Sequence, residues 1–245
     1  MSGSVGVVGG TESERTWRPR AVSLDALGTL LELEPPAPAL RAQLAECFGL
    51  ELPEPLPADA LDAEIAHYRA HHDEGRDEAS LAALQRDCAR VLRDALGAPA
   101  RELPLEELTA ALLGALVFRA FPDAAPALAE LRAAGVRLAV VSNWDVSLER
   151  RLAPVGLLEL LDAVVPSAAV GACKPDPAPF RRALELLGVD GRDTLHVGDQ
   201  LETDAAGAHA AGIPALLLVR GERPTPVGVP AIRSLAELPA LVVGP

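Results

Sequence analysis

Ala21-Val-Ser-Leu-Asp-Ala-Leu-Gly-Thr-Leu30 is the stretch from which the fold of this chain can be predicted. Its first four residues predict a short buried strand, and Asp25 follows at the C-terminal end of that strand. In an open parallel sheet, ligands bind beyond the carboxyl ends of the strands. Gly28 allows backbone to approach such a ligand closely. An ordinary Asx turn is the alternative interpretation of Asp25. The residues at the other strand ends distinguish between a turn and a functional site.

The composition is that of a globular protein with a strong negative charge. Hydrophobic residues make up 49% and charged residues 23% of the 245 positions, and the formal net charge is −13. We expect neither nucleic acid nor a membrane as a partner, because both attract basic surfaces. Three widely spaced cysteines (Cys47, Cys88 and Cys173) and the lack of a signal-peptide pattern predict a cytoplasmic location.

The order of predicted elements divides the chain into a tail, a cap and a core. Residues 1–18 predict a flexible N-terminal tail. Residues 34–121 predict an all-helical cap domain without a strand, with helices over 39–48, 59–73, 78–96 and 105–118. Residues 19–33 and 122–245 alternate strands with helices, and five strands with crossover helices predict an α/β fold with a doubly wound parallel sheet.

Polar residues follow three more predicted strands. They are Ser142 and Asn143 after the second strand, Lys174 in the loop after the third, and Asp199 and Asp204 after the fourth. Each group alone also fits helix capping or a turn. Parallel strands, however, place their carboxyl ends at one edge of the sheet, so we expect all of these side chains to meet Asp25 in one crevice.

These groups suit phosphoryl transfer through a covalent aspartyl intermediate. Asp25 and Asp199, with a backbone carbonyl and substrate oxygens, form the all-oxygen site that Mg²⁺ prefers. Ser142 is placed to hold phosphoryl oxygens. Lys174 is a compact charge that can neutralise the transition state.

The same residues resemble the four ordered motifs of the haloacid dehalogenase-like (HAD) hydrolase superfamily. The motifs are Asp25-Ala-Leu-Gly-Thr-Leu30, Val141-Ser-Asn143, Lys174-Pro-Asp-Pro177, and Val197-Gly-Asp199 with Asp204. The resemblance covers about residues 20 to 220 and implies a Rossmann-like core with a cap after the first strand. It implies Asp25 as nucleophile, Ser142 and Asn143 at the phosphate, Lys174 as stabilising cation and Asp199 as Mg²⁺ ligand, with Asp204 supporting or ligating.

Leu27 departs from the family pattern. Phosphatases of this family usually carry a second aspartate there, as general acid and base, and such a group is typically worth ~10² to 10⁴ in rate. The backbone carbonyl of Leu27 can still bind the metal. Without that acid, a phosphatase must either act on a substrate with a good leaving group or take its acid from the cap, for instance from His67, His71, His72 or Asp73.

Three interpretations stay open. The first is a Mg²⁺-dependent phosphatase that acts on a small phosphorylated metabolite. The second is a metal-independent 2-haloacid dehalogenase, which needs no acid for its leaving group but also no metal pair such as Asp199 and Asp204. The third is a weak or inactive relative that only binds. No pattern identifies the substrate or the oligomeric state.

Six further residues have ordinary interpretations. His67 and His71 are spaced like a metal pair, but solvated cap surface is the preferred interpretation. Cys173 is interpreted as a loop residue despite the adjacent Lys174. Trp144 packs over the site entrance or against the cap. His196 and His209 are expected to be packing or surface residues.

Overall fold

The computed structural model describes residues 17–52 and 58–244. Strands and helices alternate along most of this part of the chain. The strands are β1 (Ala21–Leu24), β2 (Leu31–Leu33), β3 (Phe118–Ala120), β4 (Arg137–Ser142), β5 (Ala163–Pro166), β6 (Thr194–Gly198), β7 (Ala215–Leu218) and β8 (Ala231–Ile232). The α-helices are α1 (Pro36–Phe48), α2 (Ala58–His71), α3 (Glu78–Leu96), α4 (Leu105–Ala115), α5 (Ala124–Ala133), α6 (Leu148–Leu152), α7 (Ser167–Val170), α8 (Ala178–Leu187), α9 (Ala206–Ala210) and α10 (Leu238–Val243).

The main sheet places β1 at its centre. Its strand order is β5-β4-β1-β6-β7-β8, and every neighbouring pair is parallel. The predicted doubly wound parallel sheet is therefore confirmed. Strand order reverses on either side of β1, so the carboxyl ends of β4, β1 and β6 lie side by side, where ligands bind in folds of this kind.

The prediction of five strands is wrong, because the sheet has six within the described residues. The additional strand, β8, has two residues, and so short a segment carries no periodicity that a sequence can show. It pairs with β7 through Leu217–Ala231 and Leu218–Ile232.

The cap segment also contains a strand that the sequence pattern did not predict. The fourth predicted helix, 105–118, ends at Ala115, and Phe118–Ala120 forms β3. This strand pairs antiparallel with β2 and forms a two-stranded ribbon at the base of the cap. The apolar run before Phe118 fits helix or strand equally well, and pairing with a segment far away in sequence decides between them.

The cap helices pack around a separate hydrophobic core that includes Leu40, Leu44, Leu84, Leu92, Leu108 and Leu112. Helix α3 matches the predicted span 78–96 at both ends, and Asp77 caps it in a capping box with Ser80. Helix α2 ends at His71, earlier than predicted, and a 3₁₀ turn over His72–Glu74 follows. Residues 53–57, which precede α2, lie outside the described residues.

The helix that follows β6 has an unusual start. Leu201–Ala205 forms a π-helical turn, and α9 continues from it. A π-turn widens the helix locally and is frequent at functional sites. Here the widened turn carries Asp204, whose side chain is buried.

Most of the predicted tail, residues 1–16, lies outside the described residues. The tail's last two residues do contact the core: Trp17 Nε1 donates a hydrogen bond to the Arg192 carbonyl at 2.8 Å, and the guanidinium of Arg18 lies near Gly244. None of the helices in the described ranges has the length and apolar character needed to cross a bilayer.

Candidate active site

Asp25 lies at the end of the central strand with its carboxylate held from two sides. Its backbone N–H donates to the Val197 carbonyl of β6 at 2.9 Å. Its Oδ1 accepts hydrogen bonds from Ser142 Oγ at 2.9 Å and from Lys174 Nζ at 2.5 Å. Both side-chain bonds fall on one oxygen, which leaves Oδ2 for other partners.

Lys174 is the only lysine in the sequence; all other residues of the 22 Lys and Arg are arginines. Its side chain is 2% exposed, and its ammonium donates to Asp25 Oδ1 at 2.5 Å, Asp204 Oδ1 at 2.6 Å and the Val141 carbonyl at 2.9 Å. These three acceptors match the three donors of an ammonium. Burial lowers the pKa of Lys174, but the charges of Asp25 and Asp204 outweigh this and raise it above its ordinary value.

Asn143 holds the loop that carries Lys174. Its Oδ1 accepts from the Lys174 backbone N–H at 2.7 Å, and its Nδ2 donates to the Lys174 carbonyl at 3.0 Å. Both ends of the amide are therefore engaged by the neighbouring loop. The expected contact of Asn143 with a phosphate stays a prediction.

Three carboxylates converge at the same strand ends. Asp25, Asp199 and Asp204 each offer an oxygen, and these oxygens lie within 4.8 Å of one another. Asp204 is already engaged, by Lys174 at Oδ1 and by the Gln200 N–H at Oδ2 at 3.0 Å. Asp199 Oδ2 accepts from Gln200 Nε2 at 2.9 Å, whereas Oδ1 is buried and has no hydrogen-bond partner in the described part of the chain.

The pKa values of the three carboxyls depend first on burial and then on the charges around each one. Burial, followed by the charge of Asp25, raises the pKa of Asp199 to about 6. Burial also raises the pKa of Asp25, although Lys174 opposes this. For Asp204, His196 and Lys174 outweigh the effect of burial, so the pKa of Asp204 is lowered. One buried ammonium thus serves Asp25 and Asp204, whereas the nearest cation to Asp199 is the half-exposed guanidinium of Arg223, 3.8 Å from Asp199 Oδ2.

Two glycines make room for these carboxylates. Gly28 has a φ of +87°, and a Cβ there would lie 2.7 Å from Asp199 Oδ2. A Cβ on Gly198 would collide with Asp204 Oδ2. Only glycine allows this backbone conformation and this approach together at position 28.

The residues present fit a hard divalent cation. The donor set is all oxygen, three carboxylates meet, and one buried carboxylate oxygen lacks a partner among the residues that the structure describes. This is the environment that Mg²⁺ or Ca²⁺ takes in proteins. Leu27, two residues after Asp25, points a 39% exposed side chain at the adjoining cavity, and the binding of metal by its carbonyl stays a prediction.

A cavity of about 530 Å³ lies between the strand ends and the cap. Asp25, Ser142, Lys174, Asp199 and Asp204 are all among the residues around it. The cap supplies a largely apolar wall, from Ile65, Leu112, Leu113 and Leu116 among others. The residues predicted for the site thus surround one cavity.

Only His72 of the four expected cap acids lines this cavity. Its Nδ1 lies 3.0 Å from the Arg69 carbonyl, and its Nε2 lies 3.5 Å from Cys173 Sγ. His67 and His71 contact each other, with ring centroids 4.4 Å apart, and His71 pairs with Glu74. Asp73, His67 and His71 are absent from the cavity wall.

Trp144, Cys173, His196 and His209 are the remaining residues for which the sequence predicts ordinary positions. Trp144 is buried in the cavity wall and contacts Phe118 of β3, so it packs against the ribbon at the base of the cap. Burial raises the pKa of the Cys173 thiol, which fits a loop residue rather than a thiolate. His209 is exposed, and His196 is buried with Nδ1 2.9 Å from Ser23 Oγ.

Sequence patterns predict no role for Glu64, Tyr68 or Asp145, and the structure places all three at the cavity. Tyr68 donates to Asp145 Oδ2 at 2.8 Å, which joins cap helix α2 to the core loop after β4. Asp145 lies two residues after Asn143 of the Ser142-Asn143 motif, and this proximity is the sequence signal that could have pointed to it.

The family model of haloacid dehalogenase-like hydrolases matches residues 19–212. That match covers most of the chain, which therefore belongs to the haloacid dehalogenase-like hydrolase family.

Individual relatives include phosphatases and a dehalogenase. The chain is 39% identical over 140 residues to phosphoserine phosphatase of Thermus thermophilus, across 55% of each chain. It is 41% identical over 128 residues to the plasmid phosphoglycolate phosphatase of Cupriavidus necator, across 50% of this chain and 55% of the relative. The solved 2-haloacid dehalogenase of Pseudomonas syringae has 29% identity and a TM-score of 0.64, across 91% of this chain and 97% of that one. The chain spans about half the length of the curated relatives it matches.

Proposed function

We propose that this protein is a Mg²⁺-dependent phosphatase that hydrolyses a small phosphorylated metabolite through an aspartyl-phosphate on Asp25. One observation carries the proposal: Asp25, Asp199 and Asp204 share a site in which Asp199 Oδ1 has no partner among the described residues. A haloacid dehalogenase needs no cation there, because its substrate brings no phosphate. The likeness to two relatives named as phosphatases supports the same function.

In the proposed reaction an oxygen of Asp25 attacks the phosphorus atom, and the bond from phosphorus to the alcohol oxygen breaks. Water then attacks the phosphoryl group, which releases phosphate and regenerates the carboxylate. Ser142 holds a phosphoryl oxygen, and Lys174 stabilises the charge that develops in transfer. Asn143 keeps the Lys174 loop in place through its two bonds to the Lys174 backbone.

Mg²⁺, when bound, reduces the repulsion between the attacking carboxylate and the phosphate. Asp25 and Asp199, with the Leu27 carbonyl, are the proposed ligands. Asp204 takes the supporting role, because both of its oxygens already accept hydrogen bonds from Lys174 and the Gln200 backbone.

Because Leu27 cannot donate a proton, the leaving oxygen needs another source. His72 is the proposed donor, since it alone of the expected cap acids lines the cavity. Hydrolysis of an aryl phosphate, whose leaving group needs no protonation, should depend little on His72. Hydrolysis of an alkyl phosphate should fall ~10²-fold in His72→Gln, and His71→Gln serves as the matched control.

Hydrolysis of 4-nitrophenyl phosphate with and without Mg²⁺, beside Asp25→Asn, tests the proposal. Turnover that requires both Mg²⁺ and Asp25 is the expected result. Absence of turnover across a broad panel of phosphate esters would overturn it. A phosphate mimic that binds without any turnover would then favour a binding role.

A metal-independent 2-haloacid dehalogenase is the second candidate. The observation in its favour is the apolar side chain of Leu27 in the cavity, where a phosphatase of this family usually has an acid. Release of chloride from 2-chloropropionate in the presence of a chelator would support this reaction.

A further inference from the structure

One face of helix α2 carries polar groups from the core into the cap. Glu64 and Tyr68 are four residues apart on α2 and so share one face, and His72 lies just beyond the helix, in the 3₁₀ turn. His72 and Tyr68 contact the core through Cys173 and Asp145. All three line the cavity. Glu64 therefore lies about one helical turn, ~6 Å, further into the cap than Tyr68.

Glu64 is a buried acid in the cap side of the cavity wall. It is 4% exposed, and its polar neighbour is the thiol of Cys88 on α3. Within residues 17–52 and 58–244, no Lys, Arg or His forms an ion pair with it. Burial raises the pKa of Glu64, and contact with Cys88 offsets part of this rise.

A buried carboxyl without a counter-charge lowers stability, because its charged form loses hydration. Nothing in the cap core requires an acid at this position, since the surrounding helices pack through Leu and Ala. The cavity, in contrast, gives Glu64 access to whatever enters it. A ligand that brings a cation restores the missing partner and makes the charged carboxylate favourable.

We propose that Glu64 is a specificity-determining residue that binds a protonated amine on the leaving group of the substrate. This inference rests on the proposed function, because it assumes that the phosphoryl end lies at Asp25. Ile65, Leu112 and Leu116 line the same cavity and suit an alkyl chain between the two ends. The substrate class is therefore an aminoalkyl phosphate rather than a plain alkyl or aryl ester.

Two series of equal chain length test this proposal: ω-aminoalkyl phosphates and n-alkyl phosphates. The wild-type enzyme should prefer the amine at one chain length by ~10-fold or more in kcat/KM, as expected for a charged hydrogen bond. Glu64→Gln should remove that preference and leave hydrolysis of 4-nitrophenyl phosphate unchanged. Glu46→Gln, an exposed change on α1, is the matched control.

Two further measurements keep this test separate from the test of phosphatase activity. The first is calorimetry of ω-aminoalkyl phosphonates binding to Asp25→Asn and to the double variant Asp25→Asn/Glu64→Gln. This measurement requires no turnover. Binding to Asp25→Asn that is lost in the double variant supports the inference even if hydrolysis fails. Thermal unfolding checks that Glu64→Gln is folded. An equal response to amine and alkyl ligands in the wild type, or an amine preference that survives Glu64→Gln, would overturn the inference.

Discussion

The cavity has a core wall, formed by the strand-end residues Asp25, Ser142, Lys174, Asp199 and Asp204, and a cap wall that includes Glu64, Ile65, Tyr68, Leu112 and Leu116. The two walls differ in how their charged groups are paired. On the core wall, Lys174 uses all three of its donors on Asp25, Asp204 and a backbone carbonyl. On the cap wall, Glu64 is buried beside the thiol of Cys88 and has no ion-pair partner in the described residues. A preorganised polar wall is what chemistry on a constant phosphate requires, whereas a buried carboxyl without a counter-charge in an insertion is available to select a variable leaving group.

The largest expected effect is removal of the core wall's cation. Lys174→Met leaves Asp25 and Asp204 as close, buried carboxylates, so we expect a loss of roughly 3–5 kcal/mol in unfolding free energy. Hydrolysis should also fall by ~10² to 10³ or more, because transition-state charge is no longer stabilised. Urea unfolding and steady-state kinetics measure these two effects.

The matched control for this variant is Arg90→Met, which breaks an exposed pair with Asp87. It should leave both quantities unchanged. A fully stable and active Lys174→Met enzyme would contradict the assignment of Lys174 as the site's structural and electrostatic centre.

Asp199→Asn should have opposite effects on stability and on metal binding. The pKa of Asp199 in the fold, about 6, lies above its ordinary value of 3.8. Folding therefore disfavours ionisation of Asp199. The resulting loss of stability grows as the pH rises from 3.8, the ordinary pKa, through about 6, the pKa in the fold. In metal-free buffer near pH 8, Asp199→Asn should stabilise the protein by on the order of 2 kcal/mol.

This gain should vanish below about pH 4, where the carboxyl is protonated in the folded and unfolded states alike. Mg²⁺ should raise the melting temperature of the wild type and not of the variant, since a ligand stabilises only the state that binds it. Equal Mg²⁺ responses in the two proteins would show that Asp199 is not a ligand.

Gly28→Ala tests the close approach on which the acidic site depends. Adding a methyl group at a φ of +87° should cost about 1 kcal/mol, and the methyl must also displace the Asp199 carboxylate. Gly135→Ala is the control, because it has a φ of +81° and no atom near its added Cβ. Both variants should lose stability through the shared backbone strain, Gly28→Ala by more because of its contact with Asp199, and only Gly28→Ala should weaken the stabilisation by Mg²⁺ as measured by thermal unfolding.

The smallest expected effect is at the link between the two walls. Tyr68→Phe removes the hydrogen bond to Asp145, and Asp145 keeps its bond from the Ser147 N–H at 2.7 Å. We expect a loss of about 1 kcal/mol in stability and a raised KM with little change in kcat, because the cap wall is displaced while the core wall is intact. Kinetics on an alkyl phosphate measure this split, and a large loss in kcat would show that the cap contributes directly to the chemistry.

The core wall could be predicted because its positions follow from topology. Asp25, Ser142, Lys174 and Asp199 each follow a strand or its loop, and a parallel sheet places those ends together. The bond from Lys174 to Asp204 could not be predicted, because it depends on the π-helical turn that carries Asp204. Likewise, β3 depends on pairing with β2 over a long sequence separation, which no local pattern encodes.

The cap wall could not be predicted residue by residue. Glu64 is one of 35 acidic residues in the chain, and its helix has acidic residues on other faces as well. Its burial results from the packing of α2 on α3, which sets the contact with Cys88. Helical periodicity located α3 correctly but did not show which polar side chain faces the cavity.

The proposed mechanism requires that Asp25 becomes phosphorylated during turnover. Acid-quenched intact-mass spectrometry of the enzyme with Mg²⁺ and a phosphate ester tests it most directly. We expect a hydroxylamine-sensitive adduct of one phosphoryl group, localised to the peptide that contains Asp25 and absent from Asp25→Asn. Turnover of the ester without any such adduct, or an adduct that persists in Asp25→Asn, would contradict phosphoryl transfer through Asp25.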